Sequence, residues 1–253
     1  RTVTGVQTCA LPISQRSAMT VLSPLGDQIR AVEQAASSIS LLEATRALAE
    51  RLAADPSPAA ADPEGLDAAI ACLVQVLGFN NPGAAVAAVD GLISLGTVAV
   101  TPLLERRDPR NYGARAWAVR ALAGIGDVRG LPLLEEALAT DVGPSVRRAA
   151  ACGLGQLKLD DLDGAEQPQI RARALQALLA GCRDGEWVVR YAVTVGLESL
   201  LLRMTPNDSE RQLALEALLT LSGPEQEETA VVRLRAGLAV QRQQAPHLSS
   251  VSS

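Results

Sequence analysis

The side chains best suited to ligand chemistry in this sequence are aromatic, and they are few. The 253 residues include only one Phe, two Trp and two Tyr. Tyr112, Trp187 and Tyr191 lie at the start of predicted helices, where their rings could stack against a flat ligand. The alternative is that each ring caps a helix end. Trp117 is interpreted as packing, because the residues aligned with it elsewhere in the chain are alanines.

A second pattern combines carboxylates with guanidinium groups. An aspartate precedes an arginine by six or seven residues three times, as Asp108 and Arg115, Asp141 and Arg147, and Asp184 and Arg190. These arginines could bind an anion, or they could form a ladder of ion pairs that ties successive turns together. We favour the ladder, because each aspartate lies in the turn before a helix.

No catalytic set and no metal site are predicted. The single histidine, His247, lies in the C-terminal tail, so a Ser/His/Asp arrangement has no base, and no P-loop or GxGxxG is present. The cysteines Cys9, Cys72, Cys152 and Cys182 are too far apart in sequence for a zinc site. Reduced thiols in a cytoplasmic helical protein are the preferred interpretation.

The elements that carry these residues repeat along the chain. Segments 84–96, 114–126, 146–158 and 189–201 align without a gap and place Leu92, Leu122, Leu154 and Leu197 in one column. A pattern that recurs at this spacing predicts stacked helical hairpins, which form a solenoid.

The aligned positions are counted from position 0, which is held by Ala85, Arg115, Arg147 and Arg190. Positions −1, +2, +3, +6, +7 and +10 are apolar at helical spacing and are predicted to face the core, whereas 0, +1, +4 and +5 point elsewhere.

Three regions are predicted. Residues 1–18 are non-native or disordered, because 1–13 resemble a translated sequencing adapter and Met19 is a plausible start. Residues 19–244 form a single α-solenoid, and 245–253 form a disordered tail. Within the solenoid we predict a linker at 55–63, an acidic surface loop at 160–168, and last helices at 208–221 and 225–243.

Composition narrows the range of partners. The net charge is −5 and the sequence pI is about 5.1, so a nucleic-acid partner is not expected. No uninterrupted run of 18 apolar residues occurs, so no membrane span is expected.

The repeated segments also resemble a known family. VLGFNNPGAAVAAVDGL (76–92), NYGARAWAVRALAGIGD (111–127), PSVRRAAACGLGQL (144–157) and EWVVRYAVTVGLE (186–198) are similar to the HEAT-repeat phycobilin lyases, and most similar to the F-type subunit of the heterodimeric E/F phycocyanobilin lyase. The resemblance covers about residues 27–201 and implies an all-α fold, a HEAT-like (armadillo-type) α-α superhelix solenoid.

The resemblance also implies an activity. Such a lyase, of the carbon–sulfur class, acts with an E-type partner and attaches a linear tetrapyrrole to a cysteine of a phycobiliprotein α or β subunit. The phycocyanobilin-like tetrapyrrole is then a substrate and not a permanently bound cofactor. The Asn-His-Cys-Gln-Gly-Asn motif of the isomerising F-type subunits is absent, which implies attachment without isomerisation.

A bilin substrate assigns roles to residues that point away from the core. Arginine side chains would bind its propionates, and aromatic rings would stack on its conjugated face. A carboxylate would accept hydrogen bonds from its pyrrole N–H groups. The candidate binding residues are Asp90, Arg120, Arg148, Trp187, Tyr191 and Tyr112. Cys152 could carry the bilin covalently in transit, although a buried, inert thiol is the preferred interpretation.

Two other functions stay open at this point. One is a non-catalytic HEAT-repeat scaffold that binds phycobiliproteins or helices, including a factor for phycobilisome degradation or bilin detachment. The other is a HEAT-fold DNA-repair glycosylase, which the acidic pI disfavours.

Overall fold

The computed structural model describes residues 25–54, 62–106, 110–160, 162–205 and 208–244, and within these ranges the chain is helical with no β-strand. The predicted all-α fold class is therefore confirmed. The predictions for residues 1–18, for most of the linker at 55–63, for Asp108 and for the tail at 245–253 lie outside the described residues.

Twelve α-helices and two short 3-10 turns occur in the described part of the chain. The helices are α1 (Gly26–Glu33), α2 (Ser38–Ala54), α3 (Pro63–Val76), α4 (Pro82–Leu95), α5 (Val100–Arg106), α6 (Tyr112–Ile125), α7 (Leu131–Thr140), α8 (Pro144–Gly155), α9 (Glu166–Gly181), α10 (Trp187–Leu201), α11 (Ser209–Ser222) and α12 (Ala230–Gln244). The 3-10 turns are Gly96–Ala99 and Val128–Gly130.

The helices pair into six hairpins that stack in two layers. The even-numbered helices α2 to α12 pack each on the next, and each also contacts the odd-numbered helix that precedes it. Such stacking buries one continuous apolar seam, because no single hairpin can bury its own apolar face.

The repeated leucines lie in this seam, as the alignment predicts. Leu92, Leu122, Leu154 and Leu197 are all fully buried. One part of the predicted register is wrong: position +4, which was assigned to a free surface, is buried in all four aligned helices. Its residues are Val89, Val119, Ala151 and Thr194. Position +4 is buried because each even-numbered helix is covered on that side by the next one in the stack.

Two predicted element boundaries also differ from the structure. Helix α9 begins at Glu166, inside the segment predicted to be an acidic loop. Helix α12 begins at Ala230, five residues later than predicted. The residues before it form a turn in which Glu227 is buried against the preceding hairpin, and a helix there would remove Glu227 from its partner.

The predicted ion-pair ladder is present along the edge where the even-numbered helices begin. Arg115 Nη2 lies 3.0 Å from Asp141 Oδ2, and Arg147 donates to both carboxylate oxygens of Asp184 at 2.7 and 2.9 Å. Arg190 makes the same two-point contact with Glu227 at 2.6 and 2.8 Å. Each arginine pairs with the carboxylate of the following hairpin, so the ladder joins consecutive repeats.

The earlier hairpins are joined by asparagines instead. Asn81 and Asn111 each cap the helix that follows, accepting a hydrogen bond from the backbone N–H of Ala84 and Ala114 at 3.1 Å. The side-chain amide of each donates to a carbonyl of the preceding hairpin at 2.8 Å. One residue type therefore both starts the helix and ties it to its neighbour.

Acid is expected to weaken the ladder at Glu227. Hydrogen bonds from Arg190 outweigh burial and lower the pKa of Glu227 from 4.5 to about 2. A depressed carboxyl pKa contributes stability that is complete above the unfolded pKa and is lost as pH falls towards the folded pKa. The shift corresponds to at most ~3 kcal/mol. We therefore expect Glu227→Gln to lower the free energy of unfolding at pH 7 and to have a smaller effect at pH 3.

Urea unfolding at the two pH values checks this expectation. Glu225→Gln is the matched control, because Glu225 is exposed in the same turn. An equal loss of stability at pH 7 and pH 3 in Glu227→Gln would contradict the ionic account of this contact.

One helical stretch bears on the expectation that the chain does not span a membrane. Residues Pro82–Glu105 are long and apolar enough to cross one by length and composition alone, and half of their most apolar window is buried inside the solenoid. Gly96, with φ of +67°, ends α4 and is the first residue of the 3-10 turn that follows. A core helix of a helical repeat has the same composition, so the absence of a membrane span stays a prediction.

Candidate functional site

One face of the solenoid is formed by the even-numbered helices at positions +1 and +5. These positions lie one turn apart on the same side of a helix, because four residues span about one turn. We call this surface the second-helix face. Its residues are exposed or half-buried throughout α4, α6, α8 and α10, and they are Val86 and Asp90, Ala116 and Arg120, Arg148 and Cys152, and Tyr191 and Val195.

A pocket of about 440 Å³ opens on this face between α6, α8 and α10. Part of its lining consists of small side chains, those of Ala116, Ala149 and Ala192. Its walls carry Trp117, Arg120, Arg148, Cys152 and Tyr191. The volume lies within the range typical of small-molecule sites, which are mostly apolar with a few polar groups that fix orientation.

The pocket is positively charged, in a chain whose net charge is −5. Arg120 and Arg148 both line it, and no carboxylate does. Within the described residues neither arginine forms an ion pair, in contrast to the arginines of the ladder. The pocket therefore suits a ligand that carries carboxylates and a flat apolar body.

The structure brings together three of the six predicted binding residues. Arg120, Arg148 and Tyr191 line the pocket. Asp90 lines a separate hollow of about 300 Å³ between α2 and α4, together with Arg46 and Glu50.

The two remaining predicted residues lie outside both hollows. Tyr112 and Trp187 are the first residues of α6 and α10, and each is 46% exposed. The hydroxyl of Tyr112 donates to Asp141 Oδ1 at 3.2 Å, so this residue supports the ladder.

Trp117 is the pocket residue that the sequence interpretation missed. It is half-buried and lines the pocket. The guanidinium carbon of Arg120 lies 5.7 Å from the centre of its ring, a cation–π contact. The available signal was the presence of a large aromatic residue in a column otherwise held by Ala87, Ala149 and Ala192.

The surroundings of Cys72, Cys152 and Cys182 disfavour the thiolate form. Burial raises the pKa of Cys152, and the nearby charge of Arg148 only partly opposes that shift. Burial also raises the pKa of Cys72 to about 12 and that of Cys182 to about 11. Thiolate is the nucleophilic form, so a raised pKa favours the interpretation of Cys152 as an inert thiol. Across the described ranges no group of three metal-binding side chains is found.

Comparison with known proteins agrees with this architecture. A family model for HEAT repeats matches residues 106–198. The chain is 45% identical over 227 residues to the bilin biosynthesis protein RpcF of Synechococcus sp. (strain WH8020), an alignment that covers 88% of this chain and 98% of that protein. It is 52% identical over 172 residues to the phycocyanin alpha phycocyanobilin lyase CpcF of Synechocystis sp. (strain ATCC 27184 / PCC 6803 / Kazusa), covering 68% and 74%.

Solved structures extend the likeness to three dimensions. A chain in the complex of CpcE and CpcF of phycocyanin lyase from Nostoc sp. PCC7120 aligns with a TM-score of 0.61 and 42% identity, covering 68% of this chain and 98% of that chain. A designed armadillo repeat protein aligns over 86% of this chain with a TM-score of 0.53 and 18% identity, a likeness that concerns the fold alone.

Proposed function

The chain belongs to the family of HEAT-repeat phycobilin lyase subunits, and on that premise we propose that it binds a linear tetrapyrrole and promotes its attachment, through a thioether, to a cysteine of a phycobiliprotein subunit. The tetrapyrrole, phycocyanobilin or a close relative, is a substrate that leaves with the acceptor. The chain acts as a lyase subunit, and no residue of its own serves as the nucleophile.

The observation that carries this proposal is the chemistry of the pocket on the second-helix face. A linear tetrapyrrole has two propionates on a flat conjugated body. Arg120 and Arg148 lie in the same pocket without carboxylate partners among the described residues, and the rings of Trp117 and Tyr191 line its walls. Guanidinium groups bind carboxylates by charge-assisted hydrogen bonds, and aromatic rings stack on conjugated faces.

The reaction requires positioning more than acid–base chemistry from this chain. The sulfur of the acceptor cysteine bonds to one carbon of the bilin ethylidene double bond, and the proton goes to the other carbon, so no oxidant or reductant is needed. Holding the bilin by its propionates leaves its reactive end free to meet the acceptor thiol, and a fixed geometry supplies much of the rate. The neutral state favoured at Cys152 keeps it from competing for the bilin.

Two protein partners belong to the proposal. An E-type subunit completes the lyase, since a relative of this chain is found in a complex of CpcE and CpcF. The acceptor is an α or β subunit of a phycobiliprotein; the name of the Synechocystis relative specifies phycocyanin alpha for that protein.

Reconstitution with purified components tests the function. The chain is combined with an E-type subunit, phycocyanobilin and an apo-phycobiliprotein subunit, and the denatured products are examined by zinc-enhanced fluorescence on a gel. We expect covalent bilin on the acceptor, no signal when its cysteine is replaced by serine, and no covalent bilin on this chain. Equal attachment with and without this chain would refute the lyase assignment and favour a non-catalytic scaffold.

A further inference from the structure

Trp117 and Arg120 form a pair whose geometry recurs within the same helix. In α6, Tyr112 precedes Arg115 by three residues, as Trp117 precedes Arg120. The guanidinium carbons lie 5.5 Å and 5.7 Å from the centres of the respective rings. Residues three apart on a helix lie on the same side, so the ring can support the guanidinium.

The first pair shows what such an arrangement does. Arg115, supported by Tyr112, binds the carboxylate of Asp141 at 3.0 Å, and the hydroxyl of Tyr112 bonds the same carboxylate. The aromatic residue therefore orients an arginine towards an anion. The second pair faces the pocket, where no carboxylate of the described residues pairs with Arg120.

Sequence context separates Trp117 from ordinary packing. At the equivalent position the other aligned helices carry Ala87, Ala149 and Ala192, which leave room beside the helix. Arg148, the other arginine of the pocket, has no ring contact within the described chain. The two pocket arginines therefore differ: one is held by an aromatic ring and the other is not.

We propose that Trp117 is a positioning residue, which acts through Arg120 to select a carboxylate-bearing ligand in this pocket. This inference rests on the proposed function, because the carboxylate that Arg120 would receive is a bilin propionate. Trp117 holds the guanidinium over its ring and so reduces the number of side-chain conformations that binding must restrict. Arg148 provides an independent contact, and its contribution does not depend on Trp117.

A mutant cycle measured with two ligands tests whether Trp117 positions Arg120. The ligands are phycocyanobilin and its dimethyl ester, which has the same conjugated body without the carboxylate charges. The measured quantity is the ratio of the dissociation constants of ester and free acid, determined by titration with the full chain together with its E-type partner. We expect Arg120→Ala and Trp117→Ala each to lower this ratio, the latter by about three-fold, and Trp117→Phe to restore most of it.

The double variants carry the decisive comparison. Trp117→Ala should add little to the loss of carboxylate discrimination in Arg120→Ala, but it should add fully to the loss in Arg148→Ala. Thermal unfolding by circular dichroism confirms that each variant folds.

Three outcomes separate this inference from the function on which it rests. Additive effects of Trp117→Ala and Arg120→Ala on the ratio, with wild-type protein that binds bilin, would overturn the positioning role and leave the proposed function intact. Equal affinity of the wild-type protein for acid and ester would also overturn the positioning role, while bilin binding itself would stand. Absence of bilin binding by the wild-type protein would overturn both.

Discussion

Reversing both pocket arginines, as Arg120→Glu with Arg148→Glu, is expected to reduce the rate of bilin transfer by on the order of a hundred-fold or more. Each charge-assisted hydrogen bond contributes roughly 1.5–3 kcal/mol, and two are removed together. The new carboxylates would also repel the propionates. The transfer rate to the acceptor, followed by zinc-enhanced fluorescence at saturating acceptor, gives the measurement.

A control variant with the same change in net charge separates the effect of the pocket arginines from the effect of overall charge. Lys158 and Arg183 are both exposed and lie outside the pocket, so Lys158→Glu with Arg183→Glu alters the overall field without touching the site. This variant should retain nearly the wild-type transfer rate. If both double variants lost activity to the same extent, the overall charge and not the pocket would control transfer.

The repeat register predicted which face would carry the candidate pocket, but not which repeats would line it. Arg120, Arg148 and Tyr191 were assigned to the free face because positions +1 and +5 lie off the apolar stripe, and the structure places all three around one pocket. Asp90 shares their face and lies in a different hollow. The repeat register fixes the direction in which a residue points from its helix. The position of a pocket depends instead on which neighbouring helices leave space between them.

Tyr112 and Trp187 show a second limit of the register. Both stand at position −3, one helical turn before position +1, and this displacement places them at the edge where the helices begin. Their aromatic character suggested ligand contact, but a turn of displacement is enough to remove a ring from the pocket. Trp117 was missed for the opposite reason, since its position was classed as core and only the structure shows it half-buried at the pocket wall.

The fold itself was largely predictable because its unit is short and repeated. The buried leucine column and the two-layer stacking follow from apolar spacing alone. Position +4 was assigned wrongly because a single helix gives no information about its neighbour in the stack. The start of α12 was wrong because the turn that contains Glu227 is fixed by a tertiary ion pair with Arg190, a contact between residues 37 apart in sequence.

Close approach between α8 and α10 makes Gly196 a position where even the smallest substitution should cost stability. A Cβ atom at Gly196 would lie 2.6 Å from the carbonyl oxygen of Ala151, and one at Gly155 would lie 2.4 Å from the Cα of Gly196. Both obstacles are backbone atoms, so the helices would have to separate. We expect Gly196→Ala to lower the free energy of unfolding by about 2 kcal/mol, a fall in Tm of roughly 4–8 °C.

At Gly237 an alanine substitution is expected to raise stability, so Gly237→Ala and Gly196→Ala form a decisive comparison. Gly237 lies inside α12, and a Cβ added there would meet no atom within 4 Å among the described residues. Alanine is the better helix former by roughly 1 kcal/mol, so Gly237→Ala should raise the Tm by a few degrees. The same gain in propensity acts at Gly196 and is outweighed there by the contact between helices. If Gly196→Ala also raised the Tm, the tight crossing of α8 and α10 would be wrong. Arg148 and Tyr191, which line the pocket from these two helices, would then be misplaced.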